Sequence, residues 1–270
     1  MARPILAISF TVFQILGLWM PRDEISPYYT WIYHVRTAIT LTLIYSFAVT
    51  GTVGLVLAHE DIEDLTNNCF MLLSIVVITA KTINVIGSRE AIIEMLETFE
   101  DSPCLPENRE EEKLQEKVDR AVWLNTMIYG VMTEITVLML TLGTFFQGIP
   151  VGTLPFSAWI PWDYSSGLVY WVTYVCQILG VILSANVDIG YDTMVPGMMM
   201  QVSAKLEILK HRFTHLADVL GSRDHLNCAE PVDRLKVEQK LIADYVKYHL
   251  VIFKLSFFLS PVRGILIDGN

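Results

Sequence analysis

Long apolar segments alternate along this chain with short stretches that are crowded with charge. A helix needs about 20 mostly apolar residues to cross a hydrocarbon core about 30 Å thick, and only helices or a closed barrel satisfy the backbone there. Because each segment is continuous and close to this length, we predict transmembrane helices. The four predicted spans cover about residues 38–58, 69–86, 121–146 and 166–187.

A shorter apolar run, Ile5–Met20, follows Arg3 and precedes the first predicted span. A signal peptide or signal anchor is one interpretation, but the run ends at Trp19, Met20 and Pro21 without the small residues of a cleavage site. We therefore favour a helix at the membrane surface, with Trp19 at the level of the headgroups.

Another short apolar run, Leu250–Ser260, contains Lys254 and ends at Pro261. It fits the start of a further span better than a complete one, because it is too short to cross the bilayer. We therefore predict one transmembrane helical domain over residues 1–260, with a partial fifth span from about residue 250. Residues 261–270 form an atypical tail.

The basic residues fall on one side of the predicted spans. The connections 59–68 and 147–165 contain no Lys or Arg, whereas all 19 of these residues except Lys81 lie before the first span, between the second and third, or after the fourth. Lys and Arg are retained on the cytoplasmic side of short loops. The amino terminus is therefore predicted to be cytoplasmic, and the two connections without Lys or Arg to face outward.

Apolar residues also recur with helical spacing in the charged parts of the chain, at about residues 88–100, 203–220 and 231–253. We expect these helices to form a cytoplasmic extension of the bundle, so the predicted fold is an all-α, polytopic transmembrane helical bundle with a cytoplasmic helical extension. A kink is expected at Pro196. Residues 107–112 and 221–230 are the predicted flexible loops.

Composition agrees with a membrane protein, since 53% of the residues are hydrophobic and 18% are charged, against about 25% charged in soluble domains. The net charge of −10 and the lack of a basic stripe argue against nucleic acid as a partner, so none is predicted. No cofactor or metal site is predicted, because the cysteines are too scattered for one. We interpret them as unpaired thiols; they are Cys69, Cys104, Cys176 and Cys228.

Enzyme activity is not expected. The chain contains no phosphate-binding glycine loop, no His-Glu-x-x-His pattern and no Ser/His/Asp arrangement at a known spacing. Asp188 and Asp192, one helical turn apart, are the weak alternative, since they could hold a cation together with headgroup phosphates in a membrane enzyme.

Several short motifs, in their order and spacing, resemble the insect odorant receptor family. The resemblance is carried by the loop before the fourth span and the entrance to that span, and by positions near the amino terminus and beyond the fourth span. These are Gly17-Leu18-Trp19, Leu154-Pro155-Phe156, Trp159, Pro161, Trp162-Asp163-Tyr164, Tyr170-Trp171, Tyr174, Gln177, Asp192, Gln201, Leu206–Leu209, Tyr248-His249 and Ile252-Phe253.

The resemblance implies an odorant receptor subunit that binds small volatile apolar ligands within a heteromeric ligand-gated cation channel. It further implies an odorant receptor co-receptor subunit as partner, the lipid bilayer as surroundings and the plasma membrane of sensory neurons as location. Gustatory-type chemoreceptors share the topology and remain an alternative. Family members have seven spans, so we expect a chain truncated before the last three, and a non-conducting fragment is a second alternative.

By the same resemblance, the ligand site lies between the outer halves of the second, third and fourth spans, although plain helix packing is the competing interpretation for each residue there. Tyr174 and Gln177 are favoured because they are polar groups at i and i+3 on an otherwise apolar span. The predicted ligand-binding residues are Met71, Ser74, Met139, Thr141, Phe145, Tyr170, Tyr174 and Gln177.

Glu134 lies near the middle of the third predicted span, where an ionisable residue is costly and is a functional hypothesis by default. Hydrogen bonds from Thr133 or Tyr129, or an ion pair with Lys81, are the structural alternatives. The methionines 198–200 are interpreted either as an adaptable contact surface or as packing in the cytoplasmic extension.

Overall fold

The computed structural model describes residues 6–20, 27–57, 62–146, 154–156, 158–164, 167–221 and 231–258. Among these residues there are seven helices and no strand, which confirms the predicted all-α class. The helices are α1 Ala7–Leu16, α2 Pro27–Leu57, α3 Ile62–Gly87, α4 Arg89–Glu100, α5 Arg109–Phe146, α6 Gly167–Gly221 and α7 Pro231–Phe258.

Three helices are long and apolar enough to cross a membrane by length and composition: Pro27–Leu57, Arg109–Gly143 and Gly167–Ala217. The part of α3 whose side chains are described, Leu73–Gly87, is a shorter apolar helix. Of the most apolar 18-residue stretch of α5, only 11% is buried within the protein. Such exposed apolar helices are typical of a membrane protein, whose surroundings are hydrocarbon rather than water.

The helices extend well beyond the apolar segments that predicted them. α2 begins at Pro27, where proline is well suited to the first helical position, and α5 begins at Arg109. The loop predicted over residues 107–112 is therefore wrong for most of its length. Three acidic residues in the first turn of α5, Glu110 to Glu112, interact favourably with the positive end of the helix dipole.

The predicted kink site lies inside α6, which continues as a helix from Gly167 to Gly221 through Pro196. A Cβ atom at Gly197 would displace the end of the Leu6 side chain and lie 3.2 Å from Val122, so this part of α6 is closely packed. Of the methionine run, Met198 is buried and Met199 is exposed. The second predicted flexible loop falls almost wholly at residues 222–230, outside the described residues.

The chain divides into two compact units. The apolar unit contains Ala7–Arg89 and Asn125–Met194, and thus α1, α2, α3 and the adjoining parts of α5 and α6. The polar unit contains Leu6, Glu90–Leu124 and the described residues from Val195 onward. The long helices α5 and α6 contribute residues to both.

The polar unit is built around a buried ion pair. Arg212 of α6 donates two hydrogen bonds to the Glu111 carboxylate, from Nε to Oε1 at 3.0 Å and from Nη2 to Oε2 at 2.8 Å, and only 4% and 1% of these side chains are exposed. Burial acts to raise the pKa of Glu111, but the bonds from Arg212 and from the Glu107 amide outweigh it and hold the pKa below its usual range. The same guanidinium donates to the carbonyls of Pro103 and Leu105.

A buried polar network continues along α6. The Lys205 ammonium donates to the Cys104 carbonyl and to Gln115 Oε1, both at 2.9 Å, and the Tyr248 hydroxyl donates to the Lys205 carbonyl. Gln201 donates to Asp119 and accepts from Gln115. Two motif residues, Gln201 and Tyr248, thus hold helices together.

Two cysteines can be assessed. Cys104 and Cys176 are free thiols, as expected, and burial raises the pKa of the Cys104 thiol, which disfavours the reactive thiolate. The side chain of Cys69 and the whole of Cys228 lie outside the described residues.

The motif Gly17-Leu18-Trp19 ends α1. Gly17 adopts φ +75°, and the Gly17 and Leu18 amides donate to the carbonyls of Gln14 and Phe13, which is the Schellman arrangement at a helix end. A Cβ atom on Gly17 would lie 2.9 Å from the backbone nitrogen of Thr37. Glycine is therefore needed here for both conformation and close approach.

Trp19, which was expected at the level of the headgroups, is packed against other residues of the chain. Its ring is buried, 4.6 Å from the ring of Phe10, and the Arg89 guanidinium lies 5.6 Å from the ring centroid. Arg89 also donates to the Met20 carbonyl at 2.8 Å. α1 therefore packs into the apolar unit through Phe10, Phe13 and Leu16.

Replacing Gly17 by alanine should destabilise the apolar unit, because the left-handed conformation costs an L-residue about 1–2 kcal/mol and the new Cβ would press on the Thr37 backbone. Thermal unfolding of the purified protein in nanodiscs measures this. Gly51→Ala is the matched control, since nothing lies within 4 Å of its Cβ position. Equal melting temperatures for the two variants would contradict the packing described for Gly17.

Replacing Glu111 by glutamine should lower the stability of the polar unit by about 3 kcal/mol, because it leaves the buried Arg212 guanidinium without its counter-charge. Thermal unfolding is again the measurement. Glu94→Gln is the matched control, because Glu94 pairs with Lys254 at the surface, where such pairs contribute about 0–1 kcal/mol. A loss for Glu111→Gln as small as that of the control would show that the ion pair is not important to the unit.

Candidate functional site

The helices of the apolar unit meet in a small core near the loop that joins α5 to α6. Its members come from four different helices: Phe47, Ile75, Val137 and Val181. Phe156 of the loop packs against this core, with its ring 5.7 Å from that of Phe47 in an edge-on arrangement. The loop is thus part of the packing and not a free connection.

We call the described loop residues 154–156 and 158–164 the capping loop. Gln177 of α6 binds its backbone with both ends of the side-chain amide, since Nε2 donates to the Phe156 carbonyl at 3.2 Å and Oε1 accepts from the Phe156 amide at 3.4 Å. The Trp162 indole donates to Thr173 Oγ1 at 3.2 Å. These bonds fix the loop against α6.

The capping loop is also held by α2. The Trp159 amide donates to the Thr50 carbonyl at 3.0 Å. This close approach requires glycine at residue 54, because a Cβ there would lie 2.9 Å from the Trp159 nitrogen. Phe156, Trp159 and Trp162 of the motif therefore hold the loop in a definite conformation.

Three predicted ligand-binding residues lie together on α6. Tyr170, Tyr174 and Gln177 are all buried, and the two tyrosine rings are 6.0 Å apart. Trp171 contacts both rings, at 5.3 Å from Tyr170 and 5.9 Å from Tyr174, but its side chain is about half exposed. The first three residues thus form one inward face beside the capping loop, which we call the aromatic face.

Of the other predicted ligand-binding residues, the three with described side chains are less buried than the aromatic face. Met139 is 65% exposed and Ser74 is also exposed, while the Thr141 hydroxyl donates to the Val137 carbonyl of its own helix at 2.9 Å. The side chains of Met71 and Phe145 lie outside the described residues.

A charged cluster that the sequence did not predict joins α3 to α6. The Lys81 ammonium lies 2.6 Å from Asp188 Oδ1 and 2.7 Å from Asp192 Oδ1. The Tyr129 hydroxyl donates to the second oxygen of either carboxylate, at 3.3 and 3.2 Å. The two carboxylates, considered above as a cation site for an enzyme, are thus bound by Lys81 and Tyr129.

Glu134 has a different partner from those expected. Asn186 Nδ2 donates to Glu134 Oε1 at 2.9 Å, and the Asn186 amide also donates to the Ile182 carbonyl at 3.0 Å. The expected partners were a hydroxyl of Thr133 or Tyr129, or the Lys81 ammonium. Tyr129 and Lys81 instead bind Asp188 and Asp192 in the charged cluster.

A sequence signal for the charged cluster did exist. Lys81 lies near the end of the second predicted span and Asp188 immediately follows the fourth, so the charge-sidedness rule places both at the same face of the membrane. Opposite charges at one depth in neighbouring helices favour pairing, because an unpaired charge there is costly.

The described geometry is that of a helical membrane bundle with an aromatic face beside a packed loop. A family model for the 7tm odorant receptor matches residues 61–267. The chain belongs to this family. Odorant receptor membership decides between the odorant and gustatory alternatives, and it confirms the family that the motifs indicated.

Individual relatives agree with this membership. Odorant receptor Or1 of Anopheles gambiae is 26% identical over 194 residues, which are 71% of this chain and 45% of Or1. The insect olfactory receptor OR5 from Machilis hrabei has the same fold: its structure in complex with eugenol gives a TM-score of 0.70 at 13% identity, covering 96% of this chain and 64% of that chain. A second OR5 structure gives 0.70 at 14%, covering 94% and 63%. The chain thus spans less than half of Or1 and less than two thirds of OR5.

In this odorant receptor chain, removal of the Lys81 charge should destabilise the apolar unit, because two carboxylates would then lie together without a cation. For Lys81→Met we expect a loss of about 2 kcal/mol, below the value for fully buried pairs because the cluster is partly exposed. Thermal unfolding in nanodiscs measures the loss. Combining Lys81→Met with Asp188→Asn and Asp192→Asn should restore much of the stability. If the triple variant is less stable than Lys81→Met alone, charge pairing is not the function of the cluster.

Proposed function

We propose that this chain is an odorant-recognising subunit that binds small volatile apolar molecules and acts with a co-receptor subunit in a ligand-gated cation channel. Membership of the odorant receptor family supports the ligand class. The observation that carries the proposal is the aromatic face of Tyr170, Tyr174 and Gln177 beside the capping loop, because sites for apolar molecules are lined by aromatic side chains with a few polar groups.

The proposed location is the plasma membrane of sensory neurons, with the amino terminus in the cytoplasm. The distribution of Lys and Arg supports this orientation, since the connection that contains the capping loop has neither. In this orientation the capping loop faces the outside, where odorants arrive, and the aromatic face lies directly beside it.

The proposed ligand site uses the aromatic face first. The Gln177 amide is bonded to the Phe156 backbone at both ends, so Gln177 would shape the site by holding the capping loop. Tyr170 and Tyr174 would supply ring surface to the ligand. The remaining proposed contacts, on α3, α5 and the end of α5, are Met71, Ser74, Met139, Thr141 and Phe145.

A ligand can open a channel only by binding the open state more tightly than the closed state. The capping loop suits such a role, because it is bonded to both α2 and α6 and would sense a change in their separation. We therefore propose that an odorant beside Tyr174 favours one arrangement of the loop and these two helices.

A second candidate is an odorant-binding chain that does not conduct. It is favoured by the finding that this chain spans 45% of Or1 and 64% of OR5, so the conducting activity of a whole receptor cannot be assigned to the described residues. Odorant binding and odorant-evoked current must therefore be measured separately.

Replacing Tyr174 by leucine should raise the odorant concentration for half-maximal response about tenfold, because about 1.4 kcal/mol of aromatic contact corresponds to a factor of ten. The measurement is odorant-evoked current from the chain expressed with a co-receptor in oocytes, together with odorant binding to the purified chain. Tyr28→Leu is the matched control, since Tyr28 is 72% exposed on α2.

Current with a shifted dose–response curve for Tyr174→Leu alone would support the channel subunit. Saturable binding without current would support the non-conducting candidate. If the chain neither binds any odorant of a broad panel nor supports a current while it is folded and at the cell surface, the proposed function is wrong.

A further inference from the structure

A cavity lies in the apolar unit, away from the aromatic face. It has a volume of about 480 Å³, which is within the usual range of about 300–1,000 Å³ for small-molecule sites. α1, α5 and α6 all contribute to it. Most of its lining is apolar and includes Ile8, Val12, Met127, Val131 and Ile189. We call it the α1 groove.

Among the residues that line this groove, Glu134 is the charged one, and its side chain is exposed. Glu134 lies in its wall beside Asn186, which donates to Glu134 Oε1 at 2.9 Å. Asn186 is a neutral amide and gives a second bond to the Ile182 carbonyl, so it cannot balance the charge of the carboxylate. Asp188 and Asp192 differ in this respect, because they share the Lys81 ammonium as a cationic partner.

The charge of Glu134 determines which occupant suits the groove. A hydrogen bond between an ammonium and a carboxylate is roughly twice as strong as a neutral one, and apolar surroundings strengthen it further. A lipid chain would fill the space but offer nothing to the carboxylate, and an alcohol would offer a neutral bond only. Charge complementarity therefore favours a cation that carries N–H groups on an apolar body.

The groove also has an open side. Val131, Ile135 and Leu138 line it and are each about half exposed, so its open side is apolar. Gly130 lies in the wall, where an added Cβ would approach Ile189 at 3.7 Å, so a larger side chain at this position would extend into the space. An amphiphilic amine dissolved in the membrane could thus enter from the side.

The α1 groove and the aromatic face are different places. Along α6, Asn186 follows Tyr174 by a distance of about 18 Å at 1.5 Å per residue. α1 lines the groove, whereas the aromatic face lies beside the capping loop. The two sites can therefore be disturbed independently by substitution.

We propose that the α1 groove binds a small organic ammonium with an apolar body, whose N–H groups donate to the Glu134 carboxylate. This site does not depend on the proposed odorant site. It adds a charge-selective site for amines to a chain whose aromatic face suits uncharged molecules.

The test is saturation binding of radiolabelled phenethylamine to the full chain in lipid nanodiscs, with phenethyl alcohol as the isosteric uncharged probe. Glu134→Gln removes the charge and keeps an acceptor for Asn186, so it should weaken phenethylamine binding about ten- to a hundredfold. Binding of the alcohol should change less than about threefold. Glu94→Gln, an exposed carboxylate in the polar unit, should change neither.

Gly130→Leu provides a second, steric test, because it should fill the groove and abolish binding of phenethylamine while leaving the Glu134 charge in place. Glu134→Asp keeps the charge on a shorter side chain and should retain part of the affinity. If Glu134→Gln fails to fold, as judged by thermal unfolding, these two variants decide the question.

Three results would overturn the proposal. They are unchanged phenethylamine binding in folded Glu134→Gln, an equal loss for the amine and the alcohol, and no saturable amine binding by the folded wild-type chain in nanodiscs. The last would mean that lipid fills the groove. Odorant responses of the Tyr174 variant are read separately, so failure of the amine site and failure of the odorant site give different results.

Discussion

The structure of this odorant receptor chain depends on one constraint, which is that hydrocarbon offers no hydrogen-bond partner to a polar group. In the apolar unit, hydroxyl groups meet this constraint by hydrogen bonds within their own helix. Thr82, Thr136 and Thr141 each donate to the carbonyl four residues earlier in the same helix. Charged side chains have no such local solution, so they must find partners on other helices, and the Lys81 cluster is the result.

The same constraint explains how much of the fold could be predicted. Apolar segments indicate where long helices lie, so the all-α class follows from the sequence, while the bounds of the membrane spans stay a prediction. They do not report where a helix ends in water, and α2 and α5 therefore begin earlier than predicted, at Pro27 and Arg109. Beyond the apolar segment, α5 is held by Glu111 and its bond to Arg212, which is about a hundred residues away in sequence.

The candidate site was predictable only as far as it lies on one helix. Tyr170, Tyr174 and Gln177 share a face by helical spacing, and this was expected. That Gln177 binds the Phe156 backbone depends on the path of the capping loop, and that Glu134 binds Asn186 depends on the register between α5 and α6. Neither is encoded by spacing within a single segment, so both were missed.

The acidic residues of the apolar unit can be separated by their partners. Asp188 and Asp192 are bound by a cation and a hydroxyl, which ties α3 to α5 and α6 and leaves them a structural role. Glu134 is bound by a neutral amide and lines open apolar space, so part of its interaction energy is still to be gained. When no cation of the fold neutralises a carboxylate, a cationic ligand can do so. For this reason the partner of a membrane carboxylate, more than its depth, indicates whether it stabilises the fold or selects a ligand.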